Sequence, residues 1–224
     1  VDITPDTVST QEDVNVTFNV ITGTNGATAD TFEGTPVLTA INGTPVIAGS
    51  AIAVSNGTVT VDATTGLLTF DPDAEFNGST SFQYTVTSPT GITETALVTV
   101  NVGAVNDAPV NTVPGAQNLN EDATLVFSGA TGNAISVSDL DAAEGSGLLT
   151  VTLGVTNGVL TLNGTMGLVF SQGDGTGDAT MTFIGTAADI NAALDGLVFT
   201  PVADYNGPAL LTITTNDNGN NGSG

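Results

Sequence analysis

Parts of this 224-residue chain repeat, and the repeat limits the fold to two related domains in tandem. Gln11-Glu12-Asp13, followed by Val14, Val16 and Phe18, returns as Asn120-Glu121-Asp122, followed by Leu125 and Phe127, with the two glutamates 109 positions apart. The run from Val54 to Phe70 returns from Val155 to Phe170. A third match, Phe70–Gly78 with Phe199–Gly207, stands at an offset of 129, so the second copy carries an insertion of 29 residues, 171–199. Each copy is long enough to bury a core of its own.

Composition sets the class of those domains. The apolar content rests on Val, Leu, Ile and Ala with abundant Thr, there is no Trp, and 28 Gly and nine Pro punctuate the chain. β-Branched residues suit a pleated surface, so an all-β fold is expected. Apolar runs or period-two patterns mark strands at residues 14–20, 51–55, 58–61, 67–70, 81–87 and 95–102, and Asn56-Gly57 and Asn157-Gly158 sit at tight hairpin turns. Short strands between regular turns are the pattern of a Greek-key β-sandwich. The one helix expected is the stretch Ala187–Leu194, with Ile190, Ala193 and Leu194 on one face, placed as a solvent-facing strap over a sheet. Pro109 in the passage Gly103–Val110 restricts Ala108 to extended geometry, which sets the domains at residues 1–105 and 106–224 with a short, directed join. The tail Asn216–Gly224 reads as a cut inside a longer array.

The chain has 23 Asp and Glu and no Lys, Arg or His, a formal charge of -23. Without His, Cys, Lys or Arg there is no imidazole base, thiol nucleophile, Schiff-base amine or guanidinium clamp, so most enzyme classes drop out. A carboxylate pair could serve glycoside hydrolysis, but nine Phe and two Tyr do not advertise a sugar cleft. Nucleic acid and anionic membranes are excluded as partners, since both depend on basic residues. Zero Cys rules out disulfides and soft-metal sites. Where carboxylates converge, the compensating charge must come from solvent cations or from a bound one, and this points to Ca2+, a hard, oxygen-seeking ion.

The candidate ligands cluster around the join. Asn106 and Asp107 lie in it, Glu121 and Asp122 head the first strand of the second domain, and Asp139 and Asp141 form an Asp-x-Asp pair. Strand counting sends Glu12 and Asp13 to the opposite, N-terminal pole of the first domain. Asp30 and Glu33 there stand roughly where Asp139 and Asp141 stand in the second domain, so that pole is expected to hold a weaker, incomplete site. Two other acidic stretches have plainer readings as turns, Asp71–Glu75 joining strands and Gly173–Asp178 closing a hairpin.

Asn106-Asp107-Ala108-Pro109, Glu121-Asp122 and Asp139-x-Asp141, with the Phe76-Asn77-Gly78 and Tyr205-Asn206-Gly207 turns, resemble the cadherin-like tandem repeats of giant bacterial surface adhesins of the RTX and biofilm type. The resemblance implies cadherin/immunoglobulin-like β-sandwiches repeated between an anchor and a ligand-binding tip, with calcium at each junction. It carries Asn106 and Asp107 over to linker ligands, Glu121 to the acid at the head of the next domain, Asp139 and Asp141 to paired loop ligands, and Asp217 to an acid near the far end of the domain. The first domain, with Asp30 and Glu33 at the corresponding place, lacks a clean Asp-x-Asp pair there. The expected function is a non-catalytic, calcium-rigidified extender outside the cell, monomeric, with neighbouring repeats as partners and host or surface ligands met by other regions. The alternative is a carbohydrate- or protein-binding adhesive module acting through the inserted segment.

Overall fold

The computed structural model describes residues 3–31, 34–62, 65–143 and 145–219. Residues 1–105 and 106–222 form two compact units. Both are antiparallel-rich β-sandwiches of the immunoglobulin and cadherin kind, and the short helix lies in the second.

Unit 1 holds β1 (Asp6–Gln11), β2 (Val16–Phe18), β3 (Val37–Ile41), β4 (Thr44–Pro45), β5 (Ala51–Val54), β6 (Gly57–Val61), β7 (Leu68–Pro72), β8 (Gly78–Thr87) and β9 (Thr93–Gly103). They make a five-stranded sheet, β1-β9-β8-β3-β4, and a four-stranded sheet, β2-β7-β6-β5. One core joins them, with Val8, Ile41, Phe82, Tyr84, Val98 and Val100 from the first sheet against Phe18, Val59, Leu68 and Phe70 from the second. Phe70 and Phe82 stack across it with ring centroids 6.2 Å apart. Fully burying side chains of this size stabilises by about 1.5–3 kcal/mol each, which is why the alternating pattern fixes the faces of these strands. Asn56 takes φ 57°, the left-handed turn geometry the β5–β6 hairpin needs.

Three strands of unit 1, β1, β3 and the two-residue β4, were absent from the periodic runs read in the sequence. β3 is a short, mostly apolar run that lacks strict alternation. β1 alternates, but its first inward position is taken by Asp6, which breaks the apolar signal. β1 pairs in parallel with β9, from Asp6 opposite Val98 to Gln11 opposite Gly103.

Unit 2 holds β10 (Val110–Thr112), β11 (Leu125–Phe127), β12 (Ser136–Ser138), a 3-10 turn (Asp141–Ala143), β13 (Leu148–Val155), β14 (Gly158–Thr161), β15 (Val169–Gln172), β16 (Thr176–Asp178), β17 (Thr180–Thr186), α1 (Ala187–Leu194), β18 (Leu197–Pro201) and β19 (Leu211–Asn216). The sheets run β11-β18-β14-β16 and β15-β17-β13-β19, with β10 and β12 paired separately. Asn157 repeats the positive φ of Asn56 at the hairpin into β14.

The helix spans the residues its periodicity indicates, but it is no solvent-facing strap. Ile190, Ala193 and Leu194 are buried in the core of unit 2, because the three apolar side chains face inward together. Asn191 fastens it to β12, accepting from the Val137 N–H at 2.8 Å and donating to the Val137 carbonyl at 2.9 Å. The Thr186 hydroxyl caps the helix, accepting from the Asp189 N–H at 3.2 Å. Gly173–Gly175 form the turn between β15 and β16, where the Asp178 carboxylate at the end of β16 accepts from the N–H groups of Asp174 and Gly175.

Candidate cation sites

In unit 2 the end of β19, the residues before β10 and the 3-10 turn after β12 meet. Asp139 begins the turn by accepting from the Asp141 N–H at 3.0 Å, a short-range bond typical of Asp before a turn. That bond turns the Asp141 carboxylate inward, where the residue is only 2% exposed and accepts from the Asp107 N–H. Asn106 donates from its side-chain amide to Asp217 at 2.7 Å, and Asp217 stands directly after β19. Asn106, Asp107, Asp139, Asp141 and Asp217 are thereby brought together.

The electrostatics of this group are one-sided. Carboxylate oxygens of Asp107 and Asp141 lie within 4.8 Å of each other. At an effective dielectric of about 20, two such charges repel by roughly 3 kcal/mol, more than one charged hydrogen bond returns. Burial, with the charges of Asp141 and Asp217 adding, holds the Asp139 carboxyl above its ordinary range, against hydrogen bonds from the Asp141 and Ala142 N–H groups. The Gly219 N–H and the Asn106 amide hold Asp217 below that range. One oxygen of Asp139, Oδ2, is buried without a hydrogen-bond partner. The donor set is all oxygen, and the 4.8 Å spacing suits oxygens that share one ion at 2.3–2.6 Å. These acidic residues could coordinate a metal ion.

Glu121 stands apart from them. It lines a groove with Tyr205–Pro208 near the start of β19, whereas Asp217 follows its end, and the six residues of that strand separate the two by roughly 20 Å. Its neighbour Asp122 accepts from the Asp204 N–H at 2.9 Å.

In unit 1 the structure places Glu12 and Asp13 at the C-terminal end, not at the N-terminal pole. The parallel β1–β9 pairing carries Gln11 to Gly103, so the Glu12 N–H donates to the Gly103 carbonyl at 3.0 Å and its carboxylate accepts from the Val105 N–H. Glu12 is 4% exposed, and its Oε2 is buried without a hydrogen-bond partner. Asp13 accepts from the Glu75 N–H at 3.4 Å.

Asp30 lies toward the other end of unit 1, where Glu33 falls outside the described residues. Its companion is Asp6, a residue the sequence did not single out. Asp30 accepts from the Thr4 N–H at 2.9 Å and from the Tyr84 hydroxyl at 2.7 Å. Asp6, 1% exposed, accepts through Oδ1 from the Thr28 N–H at 2.8 Å and the Thr28 hydroxyl at 3.1 Å, while its Oδ2 has no partner. Burial chiefly, helped by the Asp30 charge, pushes the Asp6 carboxyl above its ordinary range. Burial and the two aspartates push the Tyr84 hydroxyl far upward as well, so it stays a donor at any physiological pH. The signal for Asp6 was its strand position, two residues before the core residue Val8 on the same face.

Residues 2–101 match the family model described as a bacterial Ig domain. No curated protein sequence matches the chain. Among solved structures it is similar to human mucin-like protocadherin EC1-2, at 16% identity over 94% of this chain and 93% of that one with a TM-score of 0.38. It is also similar to the protocadherin gamma B2 extracellular cadherin domains 1–5, at 16% identity, 94% and 37% coverage and a TM-score of 0.35. For the human desmocollin-1 ectodomain the figures are 12%, 94%, 40% and 0.34. The chain spans less than half the length of the latter two.

Proposed function

We propose that this chain is a non-catalytic spacer of a bacterial cell-surface adhesin, stiffened by calcium outside the cell. It works as a monomer whose partners are neighbouring repeats of the same polypeptide. Other regions meet any host or surface ligand, and its charge of -23 keeps nucleic acid and anionic membranes away. The observation that carries the reading is the meeting of Asn106, Asp107, Asp139, Asp141 and Asp217 in a chain with no basic residue to balance them. The match of residues 2–101 to the bacterial Ig domain model supports the bacterial setting.

Calcium held by these residues would order the residues before β10, the turn at Asp141 and the end of β19 together. Binding to the folded form alone adds about 2.7 kcal/mol when the ion is at a hundred times its dissociation constant, a large share of a domain's ~5–15 kcal/mol. Titration calorimetry and thermal melts test this. Millimolar Ca2+ is expected to raise Tm, and Asp139→Asn or Asp141→Asn to weaken binding by at least about tenfold. Small-angle scattering tests the stiffening, and identical profiles in calcium and in chelator would refute it.

A further inference from the structure

Nine asparagines in this chain stand directly before a glycine, and one of them, Asn221, falls outside the described residues. Such a pair reacts with itself. The glycine main-chain nitrogen, having lost its proton to hydroxide, attacks the asparagine Cγ, a C–N bond closes a five-membered imide, and the side-chain nitrogen leaves as ammonia. Water then opens the ring at either carbonyl and leaves aspartate or isoaspartate, with nothing oxidised or reduced. Glycine favours the attack because it has no Cβ to crowd it. Three conditions govern the rate in a folded chain: a glycine N–H outside any hydrogen bond, a side-chain amide without a partner, and a backbone able to turn between them.

Seven of the eight described pairs fail at least one condition. Asn25, Asn42, Asn56, Asn157 and Asn218 are held in left-handed turn geometry, which closing the ring would have to undo. Four of these are also tied by their side chains. Asn25 donates to the Thr17 carbonyl, Asn42 accepts from the Gln83 N–H at 2.8 Å, Asn157 donates to the Tyr205 hydroxyl at 2.8 Å, and Asn218 donates to the Leu148 carbonyl at 3.0 Å. After Asn56, Gly57 is packed so closely that a Cβ would stand 2.4 Å from the Asp71 carbonyl oxygen. After Asn77, Gly78 opens β8 in register with Val102. Around Asn206 the Tyr205 hydroxyl donates to the Pro208 carbonyl at 2.8 Å and closes the turn over Gly207.

Asn163 escapes all of these restraints. It is exposed in the loop after β14, its φ lies outside the left-handed region, and neither its side-chain amide nor the Gly164 N–H has a hydrogen-bond partner among the described residues. A Cβ on Gly164 would meet nothing within 4 Å. The Asn163 N–H donates to the Ala193 carbonyl at 3.0 Å, but the bond that must rotate lies beyond that anchor. We propose that Asn163 is a site of spontaneous modification, converted in the folded protein to aspartate or isoaspartate ahead of every other described Asn-Gly pair. Its side chain rests over Gly196, so the product sets a new carboxylate near Asp195 at the C-terminal end of α1. That helix end is itself negative and has no basic residue in its last turn. Isoaspartate also adds one carbon to the main chain between β14 and β15.

The test ages the whole folded chain in mildly alkaline buffer beside a sample in urea, and follows both by peptic digestion and mass spectrometry. In the folded sample the exchange of NH2 for OH is expected at Asn163 about tenfold faster than at any other described pair, since each of those must first give up a hydrogen bond or a turn. In urea the pairs are expected to react at comparable rates. Gly164→Ala, which the open space accommodates, is expected to slow the reaction at Asn163 by about tenfold. Asn163→Gln is expected to remove the first acidic species that ion exchange resolves. Equal rates across the pairs in the folded sample, another described pair leading, or no reaction at Asn163 while the urea sample reacts would overturn the proposal. So would the same first acidic species arising from Asn163→Gln.

Discussion

A single residue, Asp6, shows how a charge can sit in a core that offers it no cation. Its Oδ1 is satisfied by Thr28 and its Oδ2 is not, so an amide, which keeps one acceptor and carries no charge to bury, suits the place better at neutral pH. The raised folded-state pKa means the folded protein holds the proton more tightly than the unfolded chain. That contributes stability below the unfolded value of 3.8, and the contribution is lost as pH rises through the folded value. Asp6→Asn is therefore expected to raise Tm by a few °C at pH 7 in chelator, on the order of 1 kcal/mol, with the gain shrinking toward pH 4. A lower Tm than wild type at pH 7 would contradict this assignment. Asn106, Asp107, Asp139, Asp141 and Asp217 were named from residue types, spacing and the family resemblance, whereas Glu121 stands apart from them, and Asp6 was missed because β1 was not among the strands read, so its place two residues before Val8 went unused.

At the scale of elements, the Asn-Gly hairpins and most strands of unit 1 were legible because Asn-Gly turns and β-branched runs act locally. The helix was legible in its span and misread in its setting, because a stripe of three apolar residues does not say how deeply it will be buried. Its attachment to β12 rests on Asn191, which supplies both a donor and an acceptor to Val137. Asn191→Ala leaves two main-chain groups without that partner and is expected to cost about 1–3 kcal/mol. Urea denaturation checks it, and a loss below about 0.5 kcal/mol would mean water replaces the side chain. The pole of Glu12 was misread for a different reason. Counting strands assumes alternating directions, and the parallel β1–β9 pairing reverses the count.

For the molecule as a whole, the repeat and the charge were the legible features, and they divide the 23 acids almost evenly, 11 in residues 1–105 and 12 beyond. Net charge of this size favours expansion, and with no basic side chain there are no Lys, Arg or His ion pairs for salt to weaken. Raising NaCl from about 20 mM to 500 mM in chelator is expected to raise Tm by a few °C, because screening shortens from roughly 20 Å to a few ångströms. A fall in Tm would show that the charges contribute little to the folded balance. What no repeat could reveal is how a sandwich is gripped by its own ends. In unit 1 the chain enters through β1 and leaves through β9, which lie side by side and point the same way over six residue pairs. Tension between the entering and leaving ends would drag these strands past each other lengthwise, loading the ladder together instead of peeling it one bond at a time. Pulled by its two ends, unit 1 would have to break that ladder all at once.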